Sequence, residues 1–416
     1  MPLTRRAFLA APALAASQSG IRREVFLPSP GKGTAVLAHA TYTRAAGVEM
    51  ISVEQRMSRS DTVDIAFYRR SADNGRTWSE PAARPTREDR PNGTLRRHLR
   101  SGWTDPKTGR FIEFWTEGIL PNDDPLEGLR HWNLYYRFSE DGGLTWSPSH
   151  QVIHEGAEFT PEHPLPGVHT GKNCVMLGDT TCQPLPGKDG GILLPAQISP
   201  LASDGSLYNP AGGYTYTDAV VLIARWHGRR LAWRMGEPIS GDPKRSTRGM
   251  VEPTLGRLDD GRLIVVMRGS NDNQPDLPSC KWISYSSDGG RRWTKPEPWT
   301  DSSGDAFFSP SACSQLRHHS SGRLFWLGNI TPQNPRGNRP RYPFFFGEVD
   351  RKTGLLLRDS LRLVDDRAPE ESELLTLSNF FAREDRPTRE VALHMTRMFA
   401  YPDGWVGDAL LYRVSV

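Results

Sequence analysis

Asp61 closes the polar run Ser52-Val53-Glu54-Gln55-Arg56-Met57-Ser58-Arg59-Ser60-Asp61, just ahead of an expected strand at 62–70. A carboxylate on such a loop, at the head of a strand, can overhang a cavity and exchange protons there; the same position also suits a turn cap. Glu252, in Val251-Glu252-Pro253-Thr254, and Arg268, after Gly261-Arg262-Leu263, have the spacing of a β-hairpin that brings an acid and a guanidinium to the same end. A surface salt pair is the competing use of that spacing. Asn329 and Arg341-Tyr342-Pro343-Phe344 follow, with Arg336 and Arg339 in the same Arg- and Pro-rich stretch. His39 can donate to a carboxylate or exchange a proton near neutral pH, and can equally be a strand histidine satisfied by backbone.

Other polar clusters carry weaker signals. His154, Glu155, Glu158, Glu162, His163 and His169 lie on a long Pro-rich loop. No metal-ligand spacing repeats there, so no metal is expected and an Ω-like loop edging a pocket is. Asp179 and Gln183, at the head of a strand pair, can line a cavity but read first as a solvated turn, and Trp103, Trp115 and Trp132 read as packing residues rather than sugar platforms. No Gly-rich phosphate loop and no Gly-x-Ser-x-Gly elbow occurs, and no cofactor is expected.

The elements that must position these residues announce themselves by repetition. Ser71-Ala72-Asp73-Asn74-Gly75-Arg76-Thr77-Trp78, Ser139-Glu140-Asp141-Gly142-Gly143-Leu144-Thr145-Trp146 and Ser286-Ser287-Asp288-Gly289-Gly290-Arg291-Arg292-Trp293 share the form S-x-D-x-G-x-T-W, with Arg292 replacing the Thr. Each follows an apolar or aromatic run. Asp and Ser side chains bond the turn backbone, Gly supplies positive φ, and Trp packs back on a strand. Weaker echoes keep Gly228 and Trp233, and Asp350 and Gly354. Five turns plus the carboxy-terminal strands at 391–397 and 409–414 predict an all-β, six-bladed β-propeller with about four strands per blade.

Composition bounds the rest. The 416 residues include 52 Lys+Arg and 48 Asp+Glu, a formal charge of +4, with 37% hydrophobic residues. That excludes a disordered chain and a nucleic-acid footprint. No apolar run reaches the ~20 residues of a membrane helix. Cys174, Cys182, Cys280 and Cys313 form no CxxC pair; two disulfides or four unpaired buried thiols both fit. Thr4-Arg5-Arg6-Ala7-Phe8-Leu9, the apolar stretch to Ala16 and Ala13-Leu14-Ala15 form a twin-arginine export pattern. Residues 1–15 are therefore expected to be the export signal and 16–416 one propeller domain in a periplasmic or secreted protein.

The repeated turns resemble the Asp boxes of the sialidase (neuraminidase) superfamily, and the resemblance runs from about His39 to the end of the chain. It implies a general-acid role for Asp61 and a pocket-lining role for Arg56. It implies that Glu252 polarises a nucleophile, and that Arg268 and Arg341 clamp a substrate carboxylate. Two departures stand out. His39 occupies the place of the first clamp arginine, and Asn379, in Leu377-Ser378-Asn379-Phe380-Phe381, the place of the nucleophilic tyrosine. Two pocket carboxylates still meet the minimum for inverting glycoside hydrolysis. The expected activity is an exo-acting glycosidase that removes a terminal acidic sugar from a glycan. Asp61, Glu252 and His39 are the catalytic candidates, and Arg56, Arg268, Arg341 and Asn379 the substrate contacts. A glycan-binding propeller without chemistry and a lyase on acidic polysaccharide are the alternative classes.

Overall fold

The computed structural model describes residues 20–416. The twin-arginine segment lies outside the described residues. Six antiparallel sheets of four or five strands follow one another around a ring. The first blade holds Thr34–Tyr42, Met50–Met57, Ile65–Ser71 and Ala82–Arg84; the fourth holds Val251–Arg257, Leu263–Arg268, Lys281–Ser286 and Glu297–Pro298. Neighbouring sheets bury their faces against each other, so the core is divided among the gaps between blades. One apolar cluster joins Phe114 and Tyr136 of the second blade to Leu194 and Trp233 of the third; another joins Phe325 and Phe346 of the fifth to Phe380 and Leu393 of the sixth. Trp115 and Trp132 are buried in this way, as packing residues.

Ring closure joins the two ends of the described chain. The sixth blade is built from Thr376–Glu384, Val391–Met398 and Ala409–Val414, and its outer strand is the amino-terminal Ile21–Leu27, with Ile21 opposite Val414. Val406–Gly407 adds a short parallel pairing to Thr34–Tyr42 of the first blade. The turns at Gly228 and at 350–354 each follow the third strand of their blade, the position the three Asp boxes occupy in theirs.

The boxes are hydrogen-bonded turns. Asp73 accepts from Thr77 N at 2.9 Å, Arg76 N at 3.1 Å and Thr77 Oγ1 at 2.6 Å, and Ser71 Oγ accepts from Gly75 N at 2.8 Å. Gly75 has φ 79°, a conformation in which a side chain is strained. In the third box Arg292 takes over the work of Thr and donates Nε to Asp288 at 3.0 Å. Bonds from Thr77 pull the Asp73 carboxyl down to about 2. All four cysteines are free and buried. No described helix is long and apolar enough to cross a membrane.

Candidate active site

In the fourth blade Arg268 stands opposite Lys281, while Leu263 stands opposite Ser286, where the Asp box begins. The chemistry and the Asp boxes therefore occupy opposite ends of the blade. At the chemical end the strands nearest the ring centre are interrupted. The pairing register slips between Leu99 and Ser101, between Val251 and Thr254, and between Ser378 and Phe380, which frees Arg100, Glu252 and Asn379 from the ladder. Such bulges bend a strand and re-aim the extra side chain. In the third blade the inner strand is split into Val175–Met176 and Leu185–Pro186, and the intervening loop carries Asp179. Asp61, Glu252 and Asn379 all have positive φ, 52°, 47° and 56°. Each such non-glycine conformation costs roughly 1–3 kcal/mol and persists only where surrounding structure imposes it.

Glu252 and Arg268 form the centre. Arg268 Nη1 donates to Glu252 Oε1 at 2.8 Å and Arg268 Nε to Ser311 Oγ at 2.8 Å. Glu252 is 8% and Arg268 7% exposed, so this ion pair is largely shielded from water. Gln197 Oε1 accepts from the Glu252 backbone N at 2.8 Å. Burial pushes the Glu252 carboxyl up, but Arg268, Arg341 and Arg248 outweigh it and hold the group below its ordinary range. Arg341 Nη2 reaches Ser311 O at 3.5 Å, and Asn329 anchors its loop by donating to Arg341 O at 3.0 Å and Pro343 O at 3.2 Å. Beneath the pair, Lys281 is buried, donates to the carbonyls of Pro310 and Ala312, and is driven down to about 7 by burial and by Arg268.

Asp61 is exposed on its loop and receives Ser60 Oγ at 2.8 Å; burial and the Asp61 charge raise the pKa of the Tyr214 hydroxyl. Arg248 lies with its guanidinium 5.5 Å from the Tyr214 ring centre. Burial and the Arg268 charge lower Arg248 to about 10. The charge of Asp61 acts on Tyr214, Arg248 and Arg341, which ties its loop electrostatically to the Glu252 cluster. Asn379 Nδ2 donates to Asp179 Oδ2 at 2.7 Å, so Asn379 spends one of its donors on a carboxylate.

One expected site residue lies elsewhere and another is engaged within its own blade. His39 is 3% exposed, its ring 5.0 Å from that of Phe381 in the gap between first and sixth blades. Burial depresses its pKa to about 4 against the pull of Glu113, so it is a neutral packing residue and not the missing clamp cation. Arg56 is tied up within its own blade, donating Nε to Glu54 at 2.8 Å and lying 4.7 Å from the Phe67 ring centre. Conversely, the structure adds Arg248, Arg100 and Tyr214, and it settles the two readings of Asp179. Asp179 is 2% exposed rather than a solvated turn. Burial and the Glu252 charge raise its pKa, and Arg100 pulls the other way. In the Pro-rich loop the His163 and His169 rings stack at 4.1 Å; no cluster of three or more His, Cys, Asp or Glu suited to a metal is present among the described residues.

Comparison with known proteins bears on the fold. Residues 105–410 match the family model described as a BNR repeat-like domain. No curated protein matches by sequence. Among solved structures the chain is similar to a protein of unknown function from Dyadobacter fermentans, with 14% identity and a TM-score of 0.61 over 95% of this chain and 100% of that one. It is similar to the NanB sialidase of Streptococcus pneumoniae, with 12% identity and a TM-score of 0.60 over 94% of this chain and 70% of that one. The intramolecular trans-sialidase of Ruminococcus gnavus, solved with oseltamivir carboxylate, gives 14% identity and a TM-score of 0.56 over 94% and 96% of the two chains. Identities this low speak for the fold alone, and the matched domain covers most of the chain: the protein belongs to the BNR repeat-like domain family and is built on the six-bladed propeller of sialidases.

Proposed function

We propose that this protein is an exo-acting glycoside hydrolase that removes a terminal acidic sugar, sialic acid or a uronic acid, from glycans outside the cytoplasm. The observation that carries the reading is the arginine-rich centre. Arg268, Arg341 and Arg248 surround Glu252, and the Asp61 charge reaches two of them. Such a cluster suits a substrate carboxylate, which it can hold through paired N–H donors. Arg248 supplies the third cation expected at His39. Asp61, on its exposed loop, is the acid/base that serves the leaving oxygen. Glu252 is the partner carboxylate; kept ionised by Arg268, it stabilises positive charge developing on the sugar ring. The twin-arginine pattern at Arg5-Arg6 supports export.

Asn379 favours a second reading, a glycan-binding propeller, because an amide in place of a tyrosine cannot form a glycosyl-enzyme. The lyase reading loses His39 as its base, since that ring is sealed between blades. Release of free sialic or uronic acid from mixed glycans by the purified protein, with Asp61→Asn as control, decides. Release that depends on Asp61 supports the hydrolase. Binding without release establishes the glycan-binding protein, and a product with ultraviolet absorbance from a new C=C bond establishes a lyase.

A further inference from the structure

The loop at 177–184 is buried almost throughout and lies against Glu252. A Cβ on Gly178 would stand 2.6 Å from Glu252 Cγ and 2.6 Å from Gln197 Oε1, closer than any real contact, so only glycine lets the loop approach this far. The next side chain is Asp179. Its Oδ2 is held by Asn379 Nδ2 at 2.7 Å. Thr180 Oγ1 has Oδ1 at 3.0 Å and Phe380 O at 2.7 Å as competing acceptors for its one proton, and Thr181 N donates to Oδ1 at 3.4 Å. Asp179 forms no ion pair among the described residues, whereas Glu252 is committed to Arg268 at 2.8 Å.

We propose that Asp179, rather than Glu252, is the general base that activates water, and that hydrolysis proceeds in one step with inversion at the anomeric carbon. The assignment rests on the glycosidase reading above. Asp179 takes a proton from water as the water oxygen bonds to the anomeric carbon. The bond to the leaving oxygen breaks, and that oxygen takes a proton from Asp61. Exchange with solvent then returns both carboxyl groups to their starting states. An effective base has a proton affinity near the working pH. Burial and Glu252 raise that of Asp179, while Arg268, Arg341 and Arg248 suppress that of Glu252. Asn379 thus orients a base where a sialidase-like site places a nucleophile, and direct attack by water follows from the absence of a nucleophile at that position.

The test uses the purified protein with nitrophenyl glycosides of sialic acid and of glucuronic and galacturonic acids. Asp179→Asn keeps an acceptor for Asn379; it is expected to melt like the wild type and to lose about 1000-fold in kcat even with these activated leaving groups. Asp179→Ala is expected to regain turnover in azide, giving a glycosyl azide of inverted configuration. Proton NMR of the wild-type reaction is expected to show the inverted anomer first. Retained configuration in either product overturns the proposal, as does an Asp179→Asn variant within about tenfold of wild type. Absence of turnover by the wild type on every probe instead overturns the glycosidase reading on which the assignment rests.

Discussion

Replacing Arg268 by Met tests whether Glu252 is a buried charge that depends on one cation. The substitution removes the 2.8 Å donor to Glu252 Oε1 and the 2.8 Å bond to Ser311, while Glu252 Oε2 already has no hydrogen-bond partner. Breaking a buried pair from one side costs about 3–5 kcal/mol if the remaining charge stays. The alternative is to protonate Glu252, at about 1.4 kcal/mol per unit of pH above its ordinary value near 4.5, or roughly 4 kcal/mol at pH about 7.5 and 1.4 at about 5.5. The loss of the Ser311 bond adds about 1 kcal/mol at either pH. In the wild type the folded Glu252 pKa lies below its unfolded value, and in the variant it lies above, so the variant loses stability as pH rises through the unfolded value and beyond. The expected deficit, read from urea midpoints, is therefore about 5 kcal/mol at the higher pH and 2–3 at the lower, with Arg341 and Arg248 moderating both. Adding Glu252→Gln should remove the pH dependence. An equal deficit at both pH values, or a double variant no better than Arg268→Met, refutes the buried-charge argument.

Asp61→Asn should lose about 100-fold or more on natural glycans and far less on nitrophenyl glycosides, whose leaving groups need no proton; equal losses exclude Asp61 as the acid. Asp73→Ala frees Arg76 N, Thr77 N and Thr77 Oγ1 at the end of its blade remote from Glu252. It should lower the melting temperature and leave kcat/KM unchanged, and a pure activity loss contradicts the scaffold role. Gly178→Ala should displace the Asp179 loop from Glu252 and lower kcat by about 100-fold with KM little changed; wild-type kcat refutes the close approach. His39 is neutral when folded, with a pKa lowered to about 4. Its stabilisation is present above the unfolded value near 6.5 and is lost as pH falls toward 4, by about 3 kcal/mol in all. A His39→Gln variant should lose less stability than wild type between those pH values in urea titrations.

The parts legible in the sequence were those with local causes. An Asp box is a turn whose donors and acceptors lie within eight residues, so three boxes located three blades, and the Gly228 and Asp350 turns fell into the same register. Glu252 and Arg268 were legible because one hairpin joins them. The rest depended on distance. Ile21–Leu27 closes the ring by pairing with Ala409–Val414, a partner nearly the whole chain away. His39 sits in a strand whose pattern cannot reveal which gap between blades its ring enters. Gly-Asp-Thr-Thr has the composition of an exposed turn, and only the neighbouring blades bury it. Arg100 and Asn379 reach the centre because a ladder slips by one residue, which composition does not announce.

The manner of the slippage argues about function. Second, fourth and sixth blades each break the register of an inner strand at one polar residue, and the third interrupts its inner strand at Asp179. A propeller gains no stability from this. Positive φ at Glu252 and Asn379 costs roughly 1–3 kcal/mol each. Burying Asp179 without an ion pair adds a desolvation cost that hydrogen bonds from Asn379 and Thr180 only partly offset. The same ring is regular at the Asp-box end, where the turns satisfy their own polar groups. Bulged polar residues held in strained conformations next to buried carboxylates are the pattern expected when side chains are held for chemistry rather than for folding. In this setting Asn379 is not simply a missing nucleophile. It holds a buried carboxylate beside Glu252, and the two carboxyl groups are pushed in opposite directions, Asp179 up by burial and the Glu252 charge and Glu252 down by its arginines.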